Sequence, residues 1–234
     1  MRPPTLSATV ILHRDGPRGR ELYLVRRGEE RRFAGGWVAF PGGRLDPGDG
    51  DVPVDGATGP EAALVACAAR ELLEEAGVLV ARGAARVSPE RLAEARRALL
   101  AEARPFRELL QDLEVALDAR LFVPGARWVT PDHLPLRYDT RQYAVAAPKE
   151  ARAEVWPGEL TAGAFVPAKE ALARWERGEL LLHPPNLWAI EVLARDGALD
   201  LEALRSPPYL DADAVTRRVE FQGGILLAAL RTPT

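Results

Sequence analysis

Three glutamates, Glu71, Glu74 and Glu75, form a compact group of carboxylates shortly before Gly77. Residues three and four positions apart share one face of an α-helix, so a helix here would bring the three carboxylates together. Each like-charged pair costs a helix roughly 0.2–0.5 kcal/mol, and acidic residues in a last turn also oppose the helix dipole. A hard divalent cation such as Mg²⁺ would reverse both penalties, because it binds carboxylate oxygens. The spacing therefore favours a metal site, and a solvated acidic helix face is the alternative.

The helix that must carry these glutamates is predicted over residues 58–76. Thr58 followed by Glu61 has the spacing of a capping box, and Gly77 is a typical C-cap. An apolar stripe with 4-3-4 spacing would face the core and consists of Val65, Ala69, Leu72 and Ala76. The carboxylates would then project from the opposite side of the helix.

The rest of the chain alternates between strand and helix patterns. Apolar runs at 6–13 and 21–25 flank Asp15-Gly16-Pro17 and predict a hairpin, followed by a third strand at 37–40 that Pro41-Gly42-Gly43 would close. A loop is expected over 45–60, and two helices broken near Pro105 are expected over 89–117. Further strands are predicted at 127–129, 141–147, 164–166 and around Gly223-Gly224, and further helices at 168–177 and after Asn186, taken as the N-cap. The coarse architecture is a mixed sheet flanked by helices.

The glutamate segment and an upstream glycine together resemble the Nudix box, G-x5-E-x7-R-E-U-x-E-E-x-G-U, in which U is aliphatic. Gly43 matches the first glycine, and the second half is filled by Arg70, Glu71, Leu72, Glu74, Glu75, Gly77 and Val78. The sequence departs from the box in two ways. Asp49 stands in place of the first glutamate, and the segment between Asp49 and Arg70 is 13 residues longer than in the pattern. A longer surface loop is thermodynamically cheap, so only the role of Asp49 stays open.

This resemblance implies an α/β fold, a Nudix-type mixed sheet sandwiched between helices, built as a single domain over 1–234. Loop and helical insertions are expected at about 50–60 and 88–120. Glu71, Glu74 and Glu75 would bind Mg²⁺ or Mn²⁺, Arg70 would hold a neighbouring glutamate, and the Gly43 carbonyl would complete the metal shell. One glutamate would act as general base, and the resemblance does not say which. Glu159 is a weaker candidate, with a surface position as the alternative.

The segment before the box resembles the signature of coenzyme A diphosphatases, including the peroxisomal animal members. Its matching positions include Arg27, Arg32, Gly36, Phe40, Gly42 and Gly43, and its departures are Tyr23, Val25 and Gly28. The resemblance implies cleavage of coenzyme A or acyl-coenzyme A to 3′,5′-ADP and 4′-phosphopantetheine, with these positions binding substrate. Arginine suits the phosphates because its fork binds bidentately. Solvated arginines paired with Glu29 and Glu30 are the alternative.

Two other functions stay open at this point. One is hydrolysis of a different nucleoside diphosphate derivative, such as ADP-ribose or a dinucleotide polyphosphate. The other is a Nudix-fold sensor that binds a nucleotide without cutting it, against which the complete glutamate set argues.

Composition and charge limit which kinds of partner and which cellular compartment are expected. A net charge of −3 and a pI near 5.8 argue against a nucleic-acid binder. No apolar run has the length of a membrane span or a signal peptide, and the single Cys67 fits a reducing, cytoplasmic compartment. The expected partner is a small nucleoside diphosphate-linked molecule. The segment 211–230 fits either a sheet edge or the arm of a homodimer.

Overall fold

A mixed seven-stranded sheet lies between two groups of helices in the computed structural model, which describes residues 3–28, 36–130, 136–156 and 160–207. The strands are β1 Thr5–Gly16, β2 Gly19–Arg27, β3 Val38–Ala39, β4 Gly42–Arg44, β5 Val54–Asp55, β6 Leu117–Asp118, β7 Val123–Val129, β8 Tyr138–Ala146 and β9 Leu160–Pro167. The helices are α1 Gly59–Ala76, α2 Pro89–Leu100, α3 Phe106–Asp112, α4 Ala168–Glu176, α5 Pro184–Leu193 and α6 Leu201–Arg205. The predicted α/β class, a sheet between helical layers, is confirmed.

The sheet runs in the order β3-β2-β1-β8-β7, with β4 also pairing with β1 and β9 with β2. β1 and β8 are parallel from Thr5 opposite Tyr138 to His13 opposite Ala146, and the other pairs of this sheet are antiparallel. β1 and β2 form the predicted hairpin, which closes where Gly16 lies opposite Gly19. β5 and β6 form a separate short parallel pair.

Each face of the sheet has its own apolar core. On one face, α1 buries its predicted stripe, in which Ala69, Leu72 and Ala76 are fully buried. The inserted helices α2 and α3 join this core through Leu99 and Phe106. The other face is covered by α4, α5 and α6. Because α1 is covered by the sheet and by the insertion, Cys67 is buried, and burial raises its thiol pKa.

Several boundaries differ from the sequence-based predictions. Gly42–Arg44 is strand β4 instead of a turn, because it pairs with β1, which local glycine content does not reveal. The predicted loop contains a 3₁₀ helix, Pro47–Asp51, and the short strand β5. Helix α5 begins after His183, and Asn186 lies inside it and donates to the Val38 carbonyl at 3.4 Å. The predicted strands around Gly223-Gly224 lie outside the described residues.

Across the four described ranges, no helix combines the length and the apolar character that crossing a membrane requires.

Candidate active site

The last turns of α1 present the glutamates to strand β4. The helix ends as predicted at Gly77, whose φ of 66° is left-handed and whose amide caps the carbonyls of Leu72 and Leu73. Thr58 is the N-cap, although its side chain makes no capping hydrogen bond. Glu71 is buried on the side that faces β4. The C-cap at Gly77 therefore fixes the helix end that carries the acidic segment.

Arg70 lies among three carboxylates. Its Nη1 donates to Glu71 Oε1 at 2.9 Å and to Glu74 Oε2 at 3.1 Å. Its Nε and Nη2 donate to the two oxygens of Asp49 at 2.8 and 3.0 Å. Nη2 also donates to the Arg44 carbonyl at 2.9 Å, which ties the helix to the end of β4. Burial disfavours the charge of Arg70, but its hydrogen bond and ion pair with Asp49 and its glutamate neighbours leave its pKa above the ordinary value. These contacts match the prediction that Arg70 holds a neighbouring glutamate.

Asp49, whose role the sequence left open, is a buried anchor. Its side chain is 1% exposed, and besides binding Arg70 it accepts the Asp46 amide at 2.8 Å. Asp46 in turn accepts the Gly48 amide at 2.9 Å, which completes a capping box on the 3₁₀ helix. The long loop before α1 is therefore fixed next to the glutamates, despite its extra residues.

The two glycines of β4 approach the glutamates more closely than other residues could. The Gly42 amide donates to Glu75 Oε2 at 2.8 Å. A Cβ on Gly43 would lie 2.3 Å from Glu71 Oε1, and one on Gly42 would lie 2.4 Å from the Ala8 carbonyl oxygen. A side chain at position 43 would collide with the Glu71 carboxylate, whereas one at position 42 would collide with strand β1. Glycine at both positions therefore lets β4 pack closely against β1 and against the Glu71 carboxylate.

Burial changes the protonation of two of the glutamates. It raises the pKa of Glu71 to about 7, against the opposing effect of the Arg70 charge. It also raises the pKa of Glu74, again against Arg70. A carboxyl group with a pKa near neutrality readily exchanges its proton for another cation.

The donor set fits a hard divalent cation. It consists of carboxylate oxygens, which Mg²⁺ and Mn²⁺ prefer, and Glu71 fills the space that the missing Cβ of Gly43 leaves. In the described ranges no three acidic, histidine or cysteine side chains converge into a compact ligand cage. Glu71 and Glu74 turn toward Arg70, whereas Glu75 turns toward the Gly42 amide. The side-chain cluster expected from helical spacing is therefore divided between these two partners.

The residues predicted to bind substrate have different locations. Arg27 ends β2, where its amide donates to the Trp37 carbonyl at 3.0 Å and its carbonyl accepts the Gly36 amide at 3.1 Å. Phe40 is 2% exposed and packs in the core beneath α5, so its side chain supports the fold and does not face a ligand. Arg32 and Glu159 lie outside the described residues.

An aromatic pair near Arg27 was not predicted as a site. The Trp37 and His183 rings stack with centroids 4.2 Å apart and an interplanar angle of 23°. Burial, with a contribution from the Arg27 charge, lowers the pKa of His183 to about 4, so the imidazole is neutral near pH 7. No local pattern in the sequence links the two rings, which are 146 positions apart.

The chain is similar in sequence and fold to known proteins. Residues 51–193, more than half of the chain, match the NUDT19 Nudix domain. A NUDIX hydrolase from Alicyclobacillus acidocaldarius is 30% identical, with a TM-score of 0.72 over 83% of this chain and 92% of that one. The NUDIX domain of NrtR from Shewanella oneidensis, solved with ADP ribose, is 14% identical, with a TM-score of 0.49 over 82% of this chain and 86% of that one. A NUDIX hydrolase from Nitrosomonas europaea is also 14% identical, with a TM-score of 0.45 over 81% and 87% of the two chains.

Proposed function

The chain belongs to the Nudix hydrolase family, and we propose that it is a metal-dependent pyrophosphohydrolase that cleaves coenzyme A or an acyl-coenzyme A. The observation that carries the proposal is the arrangement of Arg70, Glu71, Glu74 and Glu75 at the end of a buried helix, facing the glycines of β4. The products would be 3′,5′-ADP and 4′-phosphopantetheine, or its acylated form.

The reaction adds one water molecule across the diphosphate bridge. One phosphorus–oxygen bond of the bridge breaks while water oxygen bonds to the attacked phosphorus, and each product leaves with a terminal phosphate. Mg²⁺ or Mn²⁺, when bound, would offset the diphosphate charge and lower the pKa of the attacking water. Glu71, Glu74 and Glu75 would hold the ion, with the Gly43 carbonyl as a further oxygen ligand.

The surrounding residues would orient these ligands. Arg70 donates to both Glu71 and Glu74 through one shared Nη1, so a single guanidinium orients the two carboxylates. The Gly42 amide donates to one oxygen of Glu75 at 2.8 Å and so fixes the orientation of this carboxylate. Asp49 stays bound to Arg70 and lies behind these carboxylates, which supports an anchoring role and not a catalytic one.

Substrate recognition is proposed for the region where β2 ends and β3 begins. Coenzyme A carries a nucleobase, a diphosphate and a 3′-phosphate, so its site needs an aromatic surface and cations. Trp37 and His183 offer stacked rings, and the Arg27 charge lies close enough to lower the pKa of His183. Arg32 and Gly36 remain proposed substrate-binding positions through the coenzyme A signature.

We propose further that the whole chain is one Nudix domain, with a loop insertion at about 50–60 and a helical insertion at about 88–120. Packing of Leu99 and Phe106 into the core of α1 supports this. A cytoplasmic location, expected from the single buried Cys67, remains a proposal, as does a homodimer built through segment 211–230.

A product assay tests the proposed function. The protein is incubated with Mn²⁺ or Mg²⁺ and separately with coenzyme A, ADP-ribose and a dinucleotide polyphosphate, and the products are identified by mass spectrometry. Formation of 3′,5′-ADP with the highest kcat/KM supports the coenzyme A assignment. Faster hydrolysis of another diphosphate would overturn coenzyme A as the substrate, but it would still support the assignment as a pyrophosphohydrolase. Nucleotide binding without turnover of any substrate supports the sensor alternative instead.

A further inference from the structure

The inserted helix α2 reaches the end of the catalytic helix through one buried arginine. Arg96 is 7% exposed, and its Nε and Nη2 donate to the Glu74 carbonyl at 3.1 and 2.9 Å. We infer that Arg96 is a positioning residue, which holds the backbone of the glutamate segment so that Glu74 and Glu75 bind metal. This inference rests on the proposed function and assigns a role in it to the insertion.

The end of α1 needs such a cation for two reasons. The last carbonyls of a helix lack partners within the helix, and the helix dipole places partial negative charge there. Glu74 and Glu75 add two carboxylates, and the last turn of α1, which the structure describes throughout, contains no basic residue. The guanidinium of Arg96 therefore supplies a donor to the Glu74 carbonyl and adds positive charge at the C-terminal end of α1.

The surroundings of Arg96 fix it at this carbonyl. A Cβ on Gly77 would lie 2.7 Å from Arg96 Nη1, so the C-cap glycine leaves the space that the guanidinium occupies. The Trp156 ring centroid lies 5.5 Å from Arg96 Cζ, a distance suited to a cation–π contact. Its helix is anchored by Ala95 and Leu99, which are buried in the same core as α1.

A second hydrogen bond holds the same end of α1. The Glu154 amide donates to the Ala76 carbonyl at 2.9 Å, so the segment before β9 also binds there. The negative charge of Glu154 also acts on Arg96 and favours its charged form. Loss of Arg96 would therefore leave the Glu74 carbonyl without this donor and remove positive charge beside a metal-binding glutamate.

The effect of removing Arg96 on metal binding can be distinguished from a loss of folding. If Arg96 positions the carboxylates, its removal lowers metal affinity and kcat at temperatures at which the protein is fully folded, and KM for the nucleotide changes little. If Arg96 only stabilises the packing of the insertion, its removal lowers the melting temperature and leaves metal affinity and kcat unchanged.

The test compares Arg96→Met with Arg96→Lys and with Arg97→Met. Arg97 is the adjacent, exposed arginine of the same helix, so its variant is a matched control for loss of one charge. Mn²⁺ affinity is measured by titration calorimetry, together with kcat, KM and the circular dichroism melting curve. We expect Arg96→Met to weaken Mn²⁺ binding and to lower kcat by about 10-fold each, Arg96→Lys to restore part of both, and Arg97→Met to match the wild type.

Wild-type Mn²⁺ affinity and kcat in folded Arg96→Met would overturn the inference, whatever happens to its melting temperature. An equal loss in Arg97→Met would do the same. If Arg96→Met does not fold, Arg96→Gln is measured against the same criteria, because it keeps a donor without the charge. Failure of the wild-type protein to bind Mn²⁺ or to cut any diphosphate would instead overturn the proposed function.

Discussion

The Arg70 guanidinium donates two parallel hydrogen bonds to the Asp49 carboxylate, at 2.8 and 3.0 Å, across 21 positions of sequence. Such a bidentate pair fixes orientation as well as distance. The Asp49 side chain is 1% exposed and that of Arg70 is 12% exposed, so the pair is shielded from solvent. The Nudix box has a glutamate where this chain has Asp49, and the shorter side chain reaches Arg70 here from the 3₁₀ helix.

Loss of Asp49 is expected to destabilise the protein and the site together. Asp49→Ala leaves a buried arginine with fewer counter-charges, and removing one partner of a buried ion pair typically costs about 3–5 kcal/mol. Urea unfolding of the metal-free protein measures this loss. Asp51→Ala, at an exposed position of the same loop, should have no measurable effect. Equal stabilities of the two variants would contradict the anchoring role of Asp49.

Helix α1 and its acidic end could be predicted because their signals are local. The stripe that ends in Leu72 and Ala76, the C-cap Gly77 and the glutamate spacing all lie within one helix. The partner of Arg70 could not be derived in the same way, because the extra residues of the loop separate Asp49 from the helix. Strand β4 was missed for a related reason, since its pairing with β1 is a tertiary contact and its glycines locally predict a turn.

The contacts of Arg96 and His183 show the same limit of local patterns. Arg96 lies between Ala95 and Leu99 on the apolar side of α2, which was a usable sign of a buried arginine. Its acceptor, the Glu74 carbonyl, belongs to another helix and has no signature in the sequence. His183 immediately precedes α5, and its stacking on Trp37 depends on how α5 packs beside β3.

Neutral replacement of the proposed metal-binding carboxylates should abolish most of the activity without unfolding the protein. Glu74→Gln and Glu75→Gln are each expected to lower kcat by at least about two orders of magnitude, because each removes a charged oxygen ligand. Steady-state rates at saturating Mn²⁺ measure the effect, and circular dichroism monitors the fold. Glu61→Gln, at the exposed start of the same helix, is the matched control. Near wild-type rates in both site variants would remove the metal-site assignment.

Divalent ions should stabilise the folded chain by linkage. An ion that binds only the native state adds about 2.7 kcal/mol at one hundred times its Kd, which raises Tm by several degrees in a protein of this size. Calorimetric melting with and without Mg²⁺ or Mn²⁺ measures the shift. The Glu74→Gln/Glu75→Gln double variant should show a much smaller one. An unchanged wild-type Tm at millimolar metal would contradict binding at these carboxylates.

The metal-free protein should lose stability through Glu71 as the pH rises. The pKa of Glu71 is raised from 4.5 to about 7 by burial, so between these values the native state holds a proton that the unfolded state has released. The contribution of Glu71 to unfolding free energy therefore falls across this window as pH increases. Urea unfolding in EDTA at about pH 5 and about pH 8 should show wild type losing stability relative to Glu71→Gln. Parallel pH profiles of the unfolding free energy for the two proteins would show that burial does not raise the pKa of Glu71.

Substrate identity can be tested at Arg27. If its guanidinium binds the 3′-phosphate of coenzyme A, the charge-assisted hydrogen bond contributes roughly 1.5–3 kcal/mol. Arg27→Ala should then lower kcat/KM for coenzyme A by about 10- to 150-fold. Dephospho-coenzyme A lacks the 3′-phosphate, so its kcat/KM should hardly change. The ratio of the two substrates therefore isolates this one contact from any general loss of folded protein.

The control for this measurement has to be an arginine outside the site. Arg26 is unsuitable, because its Nη1 donates to the Gly36 carbonyl at 3.3 Å and so supports the same turn. Arg18 lies at the tip of the β1–β2 hairpin, is exposed and pairs with Glu170, so Arg18→Ala should leave both substrates unaffected. Equal losses for the two substrates in Arg27→Ala would place this arginine at the diphosphate or in the fold. If the wild-type enzyme prefers dephospho-coenzyme A or ADP-ribose, the coenzyme A assignment is overturned. The assignment as a pyrophosphohydrolase would be unaffected by that result.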